Sequence, residues 1–365
     1  MTKQRGPARL VPPGSIIRRE LEARGWLQKT LAEIMGRPEQ AISEIISGKK
    51  QITPETAREL ACAFGTSPEF WMNLETNYRL RQAQREKEED DIRRRARLHE
   101  IAPCDELIKR GWIEDSDQID DQEDELCRFL GISNLNDDPP LALAARHSAH
   151  GKPEIAALTA WARRVEQLAA LQPVSTYDRD ALLALIPDLL DRSVDESSVA
   201  QVPQALLDHG VHFFIVDHLP QTYLDGAALW IEGRPLVALT LRYNRIDNFW
   251  FTLTHELAHI ALEHTGPHLD RLDSEQELDD VEIAANNLAQ DWLIDRSIYE
   301  AFVAEGRLTS RRVAAFAKSL SRHPAIVVGR LQYDGLIRYQ QMSKFKTGIR
   351  HRLDDWIDCP IIAAA

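Results

Sequence analysis

Cysteine is scarce in this 365-residue chain. There are four, Cys62, Cys104, Cys127 and Cys359, with no C-x-x-C pair among them. That spacing argues against a disulfide scaffold and a thiolate-held metal and fits reduced, structural thiols. Long apolar runs are missing as well, and the N-terminal MTKQRGPARL lacks the apolar stretch of a secretory leader. A cytoplasmic protein with no membrane partner is expected. Basic residues are in deficit, 44 Lys and Arg against 57 Asp and Glu, for a net charge of −13. The deficit is uneven. Residues 1–85 hold 14 basic against 9 acidic residues, net +5, which leaves −18 on the remainder. A mildly basic head on an acidic body suits a small DNA-reading module. Hydrophobic residues at 44% and charged ones at 28% are ordinary for a globular chain of two or three domains.

Helix breakers are also absent from Asp247 to His264, where Leu253, Leu257, Ile260 and Ala261 recur at helical spacing. This helix carries His255-Glu256-Leu257-Ala258-His259, an H-E-x-x-H pentad. Residues four apart share one helix face, so His255 and His259 can hold one Zn²⁺ between two imidazoles. Glu256 is then placed as general base toward a water at the metal. The third ligand is expected to be a carboxylate on a following helix. The segment Asp280–Trp292 has a helical pattern and supplies Glu282, with Asn286 one turn later expected to support a ligating histidine by a hydrogen bond. His264 does not have the spacing of a third histidine ligand and reads as a supporting or surface residue. Attack by such a water on a carbonyl would also need a donor for the developing oxyanion; His323, Tyr243 and Arg330 are the candidates.

Residues 1–85 read as five short helices. Ser15 caps the first, a tight turn at Gly36 separates the second and third, and Thr53-Pro54 opens the fourth. The head resembles the phage-repressor-like helix-turn-helix family, in particular HigA-type antitoxins. The resemblance rests on Pro13-Gly14, Leu31-Ala32-Glu33, Ile42-Ser43-Glu44-Ile45, Gly48-Lys49, Ile52–Ala57 and Gly65–Trp71. It implies that the helix Pro38–Ile46 enters a DNA major groove, with Gln40 and Ser43 reading base edges and Arg37, Lys49 and Lys50 on phosphates. It also implies a homodimer on a palindromic operator. Glu39, at the start of that helix, opposes phosphate.

Residues 86–200 read as a helical connector without chemistry. In residues 201–345, Val211–Val216, Ala227–Ile231 and Leu236–Thr240 read as strands, the last two joined through Glu232-Gly233-Arg234-Pro235. Leu236–Thr240, just before the pentad helix, is expected to be an edge strand open to an extended peptide. Residues 346–365 form a tail. The body resembles the ImmA/IrrE metallopeptidase family through Leu219-Pro220, Asp225-Gly226-Ala227, Arg242–Asn248, Phe251–His259, Glu282 with Ala285-Asn286, and His323–Gln332. The resemblance implies a zinc peptidase with His255, His259 and Glu282 as ligands, Glu256 as base, and a repressor- or antitoxin-like protein as substrate. The alternative is an antitoxin-type autoregulator with a cognate toxin as partner and a structural or dormant zinc. The fold expected is mainly α with a small β-sheet, an all-α helix-turn-helix head followed by an α+β zincin body.

Overall fold

The structure, a computed structural model, describes residues 11–139, 152–264, 268–270 and 280–359. Residues 140–151 of the connector and 360–365 of the tail lie outside these. The chain divides into two compact units, Met1–Ala96 and Arg97–Ala365.

The first unit is all helical: α1 (Pro13–Arg24), α2 (Gln28–Met35), α3 (Glu39–Ile46), α4 (Pro54–Phe64) and α5 (Pro68–Ile101). Gly36 ends α2 at φ 62°, a left-handed conformation that lets the chain turn at once into α3. Thr53 caps α4, its hydroxyl oxygen accepting from the Thr56 amide at 3.2 Å. Ile17, Leu31, Ile42, Leu60 and Trp71 close the core of this unit. The charged run after Arg81 continues α5 as one 34-residue helix, and the unit boundary falls inside it.

Gly14 explains one of the motifs quoted above. A Cβ there would overlap the Ile46 carbonyl oxygen and sit 2.7 Å from its carbon, so α1 and the end of α3 pack backbone to backbone. Gly14→Ala is expected to destabilise the head by about 1–3 kcal/mol. Its thermal unfolding followed by circular dichroism should show an early transition with the body's transition unmoved.

The second unit continues with α6 (Cys104–Lys109), α7 (Ile119–Leu130), α8 (Lys152–Leu171), α9 (Arg179–Asp191) and α10 (Val202–Asp208). Strands β1 (His212–Ile215), β2 (Gly226–Ile231) and β3 (Arg234–Leu239) precede α11 (Ile246–Ala261) and β4 (His268–Asp270). It ends with α12 (Asp280–Leu293), α13 (Arg296–Ala304), α14 (Ser310–Ser319) and α15 (Pro324–Tyr333). The sheet order is β1-β3-β2-β4, with β1 parallel to β3 and the other pairs antiparallel. Alternate residues point to opposite faces. Phe213, Ile215, Val237 and Leu239 face α9, α11 and α15, whereas Phe214, Val216, Leu236 and Ala238 face Trp112, Leu126 and Trp161. Helices α6, α7 and α8 therefore supply the helical layer on one face of the sheet, and Trp161 fixes it by donating to the Val216 carbonyl at 2.9 Å.

Three expectations change. The β2–β3 turn is the two-residue Glu232-Gly233, both at positive φ, and Pro235 lies within β3 opposite Trp230. The expected edge strand is internal, because β1 pairs with β3 on the side away from β2. The tail is part of the core: Ile349 and Leu353 are fully buried, Ile357 bridges to Ile215, and Asp358 accepts from Trp112 and Arg164, both at 2.7 Å. Among the described residues, no helix is long and apolar enough to cross a membrane.

His212 gives the body a pH dependence. It is buried in β1, with Nδ1 3.2 Å from Gln172 Oε1. Burial, helped by Arg234, lowers its pKa from 6.5 to about 4. The unfolded chain takes up this proton near 6.5 and the folded chain only near 4. Stability is therefore complete above the unfolded value and falls as pH drops through that window, by on the order of 1–3 kcal/mol. His218 and His323, also lowered by burial, act in the same direction. Urea unfolding at pH 7 and pH 4.5 should show the loss, and His212→Gln should flatten it.

Candidate metal centre

The sequence makes α11 a buried helix. Apolar residues surround it, and 14 of its 16 residues are buried, from Ile246 to Ala261. One face packs on β2 and β3 and the others on α12 and α15. The pentad is therefore held inside the body, with His255, Glu256 and His259 all at 0% exposure.

The spacing does what it predicts. His255 and His259 meet through their Nε2 atoms at 3.0 Å. Packing of α12 against α11 brings Glu282 to the same point, Oε2 at 3.3 Å from His255 Nε2 and Oε1 at 3.4 Å from His259 Nε2. Burial alone would raise the Glu282 pKa. Hydrogen bonds with His255, His259 and His268 outweigh it and hold the carboxyl far below the usual carboxylate range. One donor atom from each of the three residues lies within 4.8 Å of the others. Two imidazoles and a carboxylate that converge in this way form a donor set suited to zinc.

The surroundings differ from the expectation. Asn286 is half-buried one turn beyond Glu282, and among the described residues no hydrogen bond joins it to either histidine. His264 takes that place, with Nδ1 2.9 Å from His259 Nδ1. His268, from β4, stacks on His259 with centroids 4.2 Å apart and sets Nδ1 3.6 Å from Glu282 Oε1. Sequence reasoning missed His268, since no periodicity links it to the pentad. It also missed the role of Gly226. A Cβ on Gly226 would overlap Glu256 Oε1 and lie 2.7 Å from Thr252 Cγ2, so β2 passes directly over the carboxylate.

Beside the N-terminal half of α11 is a cavity of about 420 Å³, lined among others by Tyr243, Asp247, Phe251, Arg330, Tyr333 and Lys346. The Phe251 ring lies 6.3 Å from that of His255, so the cavity adjoins the histidines. Tyr243 faces it, with the Arg242 and Arg245 guanidinium groups on its ring at 4.9 and 5.3 Å. Arg330 faces it too, with Nε 2.9 Å from Asp334 Oδ2. Asp247 is held by Arg245 at 3.2 Å and Lys346 at 3.3 Å. His323 has a different position. Its Nδ1 accepts from the Ala325 amide at 3.2 Å and caps α15, a structural task.

In the head, Gln40, Ser43, Lys49 and Lys50 are exposed on or just after α3. Gln40 donates to Glu44 Oε1 at 3.1 Å. Arg37 is a correction. Its guanidinium donates twice to Glu59 and lies 3.6 Å from Glu55, which ties α4 to the turn before α3 in place of a phosphate contact.

Comparison with known proteins divides the chain in the same way. Residues 17–71 match the helix-turn-helix family model, and residues 208–320 match the IrrE N-terminal-like domain. An uncharacterised helix-turn-helix transcriptional regulator of Escherichia coli, YddM, is 30% identical over 22% of this chain and 87% of its own length. Antitoxin HigA-1 of Vibrio cholerae is 40% identical over 18% of this chain and 64% of its own. A solved HigA-family addiction-module antidote protein from Coxiella burnetii is 33% identical, covering 23% of this chain and 91% of its own, at a TM-score of 0.22.

Proposed function

The chain belongs to the helix-turn-helix regulators and carries an IrrE N-terminal-like domain, and from that premise we propose that it is a DNA-binding regulator whose body is a zinc endopeptidase acting on a repressor- or antitoxin-like protein. The observation that carries this reading is the convergence of His255, His259 and Glu282 beside a buried Glu256. His255, His259 and Glu282 would hold the metal. Zinc, when bound, polarises a peptide carbonyl and makes water acidic enough to attack it. Glu256 takes the proton of that water and returns it to the leaving amine. The dry walls around Glu256, with β2 over it, fix the carboxylate in place. The adjoining cavity receives a substrate side chain, and Tyr243 and Arg330 on its wall are the donors closest in kind to an oxyanion partner. Co-expression with the products of neighbouring genes, scored for cleavage by mass spectrometry, tests the reading. Loss of bound zinc in His255→Ala tests the ligand set.

The head reads DNA as a homodimer on a palindrome, through Gln40 and Ser43 for bases and Lys49 and Lys50 for phosphates. Lys49→Ala and Lys50→Ala should each lower the slope of log affinity against log salt by about 1, and Gln40→Ala should relax base preference at a cost of about 1–3 kcal/mol. Arg37→Ala should leave the salt slope unchanged and destabilise the head. A second reading, an antitoxin-type autoregulator with a cognate toxin and a dormant metal site, is favoured by the antitoxin among the head's relatives. Stable binding of a neighbouring toxin without cleavage of any neighbour would select it.

A further inference from the structure

Among the described residues, the cavity beside the N-terminal half of α11 carries one positive charge more than its walls neutralise. Asp225 is paired with Arg242 at 3.6 Å and Arg330 with Asp334 at 2.9 Å, so these charges cancel. Arg245 and Lys346 share the single carboxylate of Asp247, at 3.2 and 3.3 Å. The sharing is imperfect. Arg245 Nε and Asp247 Oδ1 are both buried, yet neither has a hydrogen-bond partner among the described residues, so the 3.2 Å contact is misaligned. Burial holds the Lys346 ammonium below the ordinary lysine value, and Arg245 acts in the same direction against the pull of Asp247. A buried cation in this state is stabilised by a further anion.

The cationic end is rigidly built, and most of the remaining wall is apolar. Buried Gln332 accepts from Lys346 through Oε1 and donates through Nε2 to the carbonyls of Tyr339 and Gln341, both at 3.1 Å. One side chain thus fixes both the ammonium and the loop that carries Tyr339. Gly329 brings α15 against the carboxylate, since a Cβ there would lie 3.3 Å from Asp247 Oδ2. Phe251, Leu293, Ile326 and Tyr333 supply apolar wall. At about 420 Å³ the space has the size and character of a small-ligand site, an apolar cleft with a few placed polar groups.

We propose that this cavity binds a carboxylate carried on an apolar stem, with Arg245 and Lys346 as its cationic partners. Such a group supplies the charge the wall lacks and sets its stem against Phe251 and Tyr333. It accepts from the same two cations as Asp247, and bonds of this kind are strengthened by the charge on both sides. An amine on the same stem meets the surplus positive charge and is rejected. The carboxylate has two sources. One is an acidic side chain of a protein substrate beside the cut bond, which rests on the peptidase reading above. The Phe251 ring is one helical turn before His255 and 6.3 Å from its ring, so the cavity is near enough to serve. The other source is a free small acid, which needs no catalysis.

The test uses zinc-loaded full-length protein with Arg245→Gln and Arg245→Glu. The Arg245 side chain is 34% exposed and makes no capping hydrogen bond to α11, so both variants should fold, with unchanged bound zinc as the check. Calorimetric titration compares phenylbutyrate with phenylbutylamine. The wild type should bind the acid and not the amine. Arg245→Gln should weaken the acid about 10–100-fold, the usual loss for a hydrogen bond to a charged group. Arg245→Glu should reverse the preference. Acid bound equally by all three proteins, as by the zinc alone, or no preference over the amine, would overturn the inference. Cleavage of a mixed peptide library, read by mass spectrometry, names the source. Asp and Glu enriched at one fixed position beside the cut bond, and replaced by Lys and Arg in Arg245→Glu, assign the substrate chain. Acid binding without that enrichment assigns a free acid. If no peptide is cut at all, the peptidase reading fails while the carboxylate site stands.

Discussion

Glu256→Gln should retain bound zinc and lose cleavage, with the rate falling by about 10²–10⁴-fold, the contribution of a positioned general base. Gln has the size and shape of Glu and keeps a polar group under β2, so packing around the fully buried site should hold. It cannot carry a proton from water to the leaving amine. The ligands are untouched, so zinc stoichiometry by elemental analysis should stay at the wild-type value. Cleavage of the identified neighbour, followed by mass spectrometry, reads the other half. Proteolysis at the wild-type rate would sink the role given to Glu256.

Gly226→Ala should weaken both fold and activity without touching a ligand. The added methyl overlaps Glu256 Oε1 and presses on Thr252 Cγ2, and β2 has neighbours on both edges that keep it from moving aside. Overpacking of this kind costs about 1–3 kcal/mol. The carboxylate must yield, and a displacement near 1 Å of a catalytic group lowers rate by about 100-fold. Zinc binding should survive. A variant that melts and cleaves like wild type would show that β2 does not constrain Glu256.

The pentad was legible because its message is local. Helical spacing alone puts His255 above His259, and an unbroken apolar pattern keeps the helix buried. Glu282 was legible for a related reason, as a carboxylate on a following helix. What the sequence concealed depends on distant pairing. The order of the sheet turns on β1 joining β3, whose paired residues His212 and Leu236 are separated by the whole of β2, and nothing in either strand names its partner. His268 reaches the centre only because β4 pairs with β2. Arg37 looked like a free cation because Glu59, 22 residues on, is brought to it by the packing of α4. His323 looked catalytic beside a proline, and that proline marks the helix start that the histidine caps.

The bond from Trp112 to Asp358 spans 246 residues, and Ile357 lies alongside β1. This arrangement orders events during synthesis. The head's hydrophobic core is complete once Trp71 has left the ribosome, and domains generally fold as they emerge. The body lacks Ile349, Leu353 and Asp358 until those residues have emerged, so its core stays unfinished while the head is already formed. A nascent chain thus presents a folded head before its body is complete, and a chain cut short near residue 345 would carry a folded head on an unclosed body.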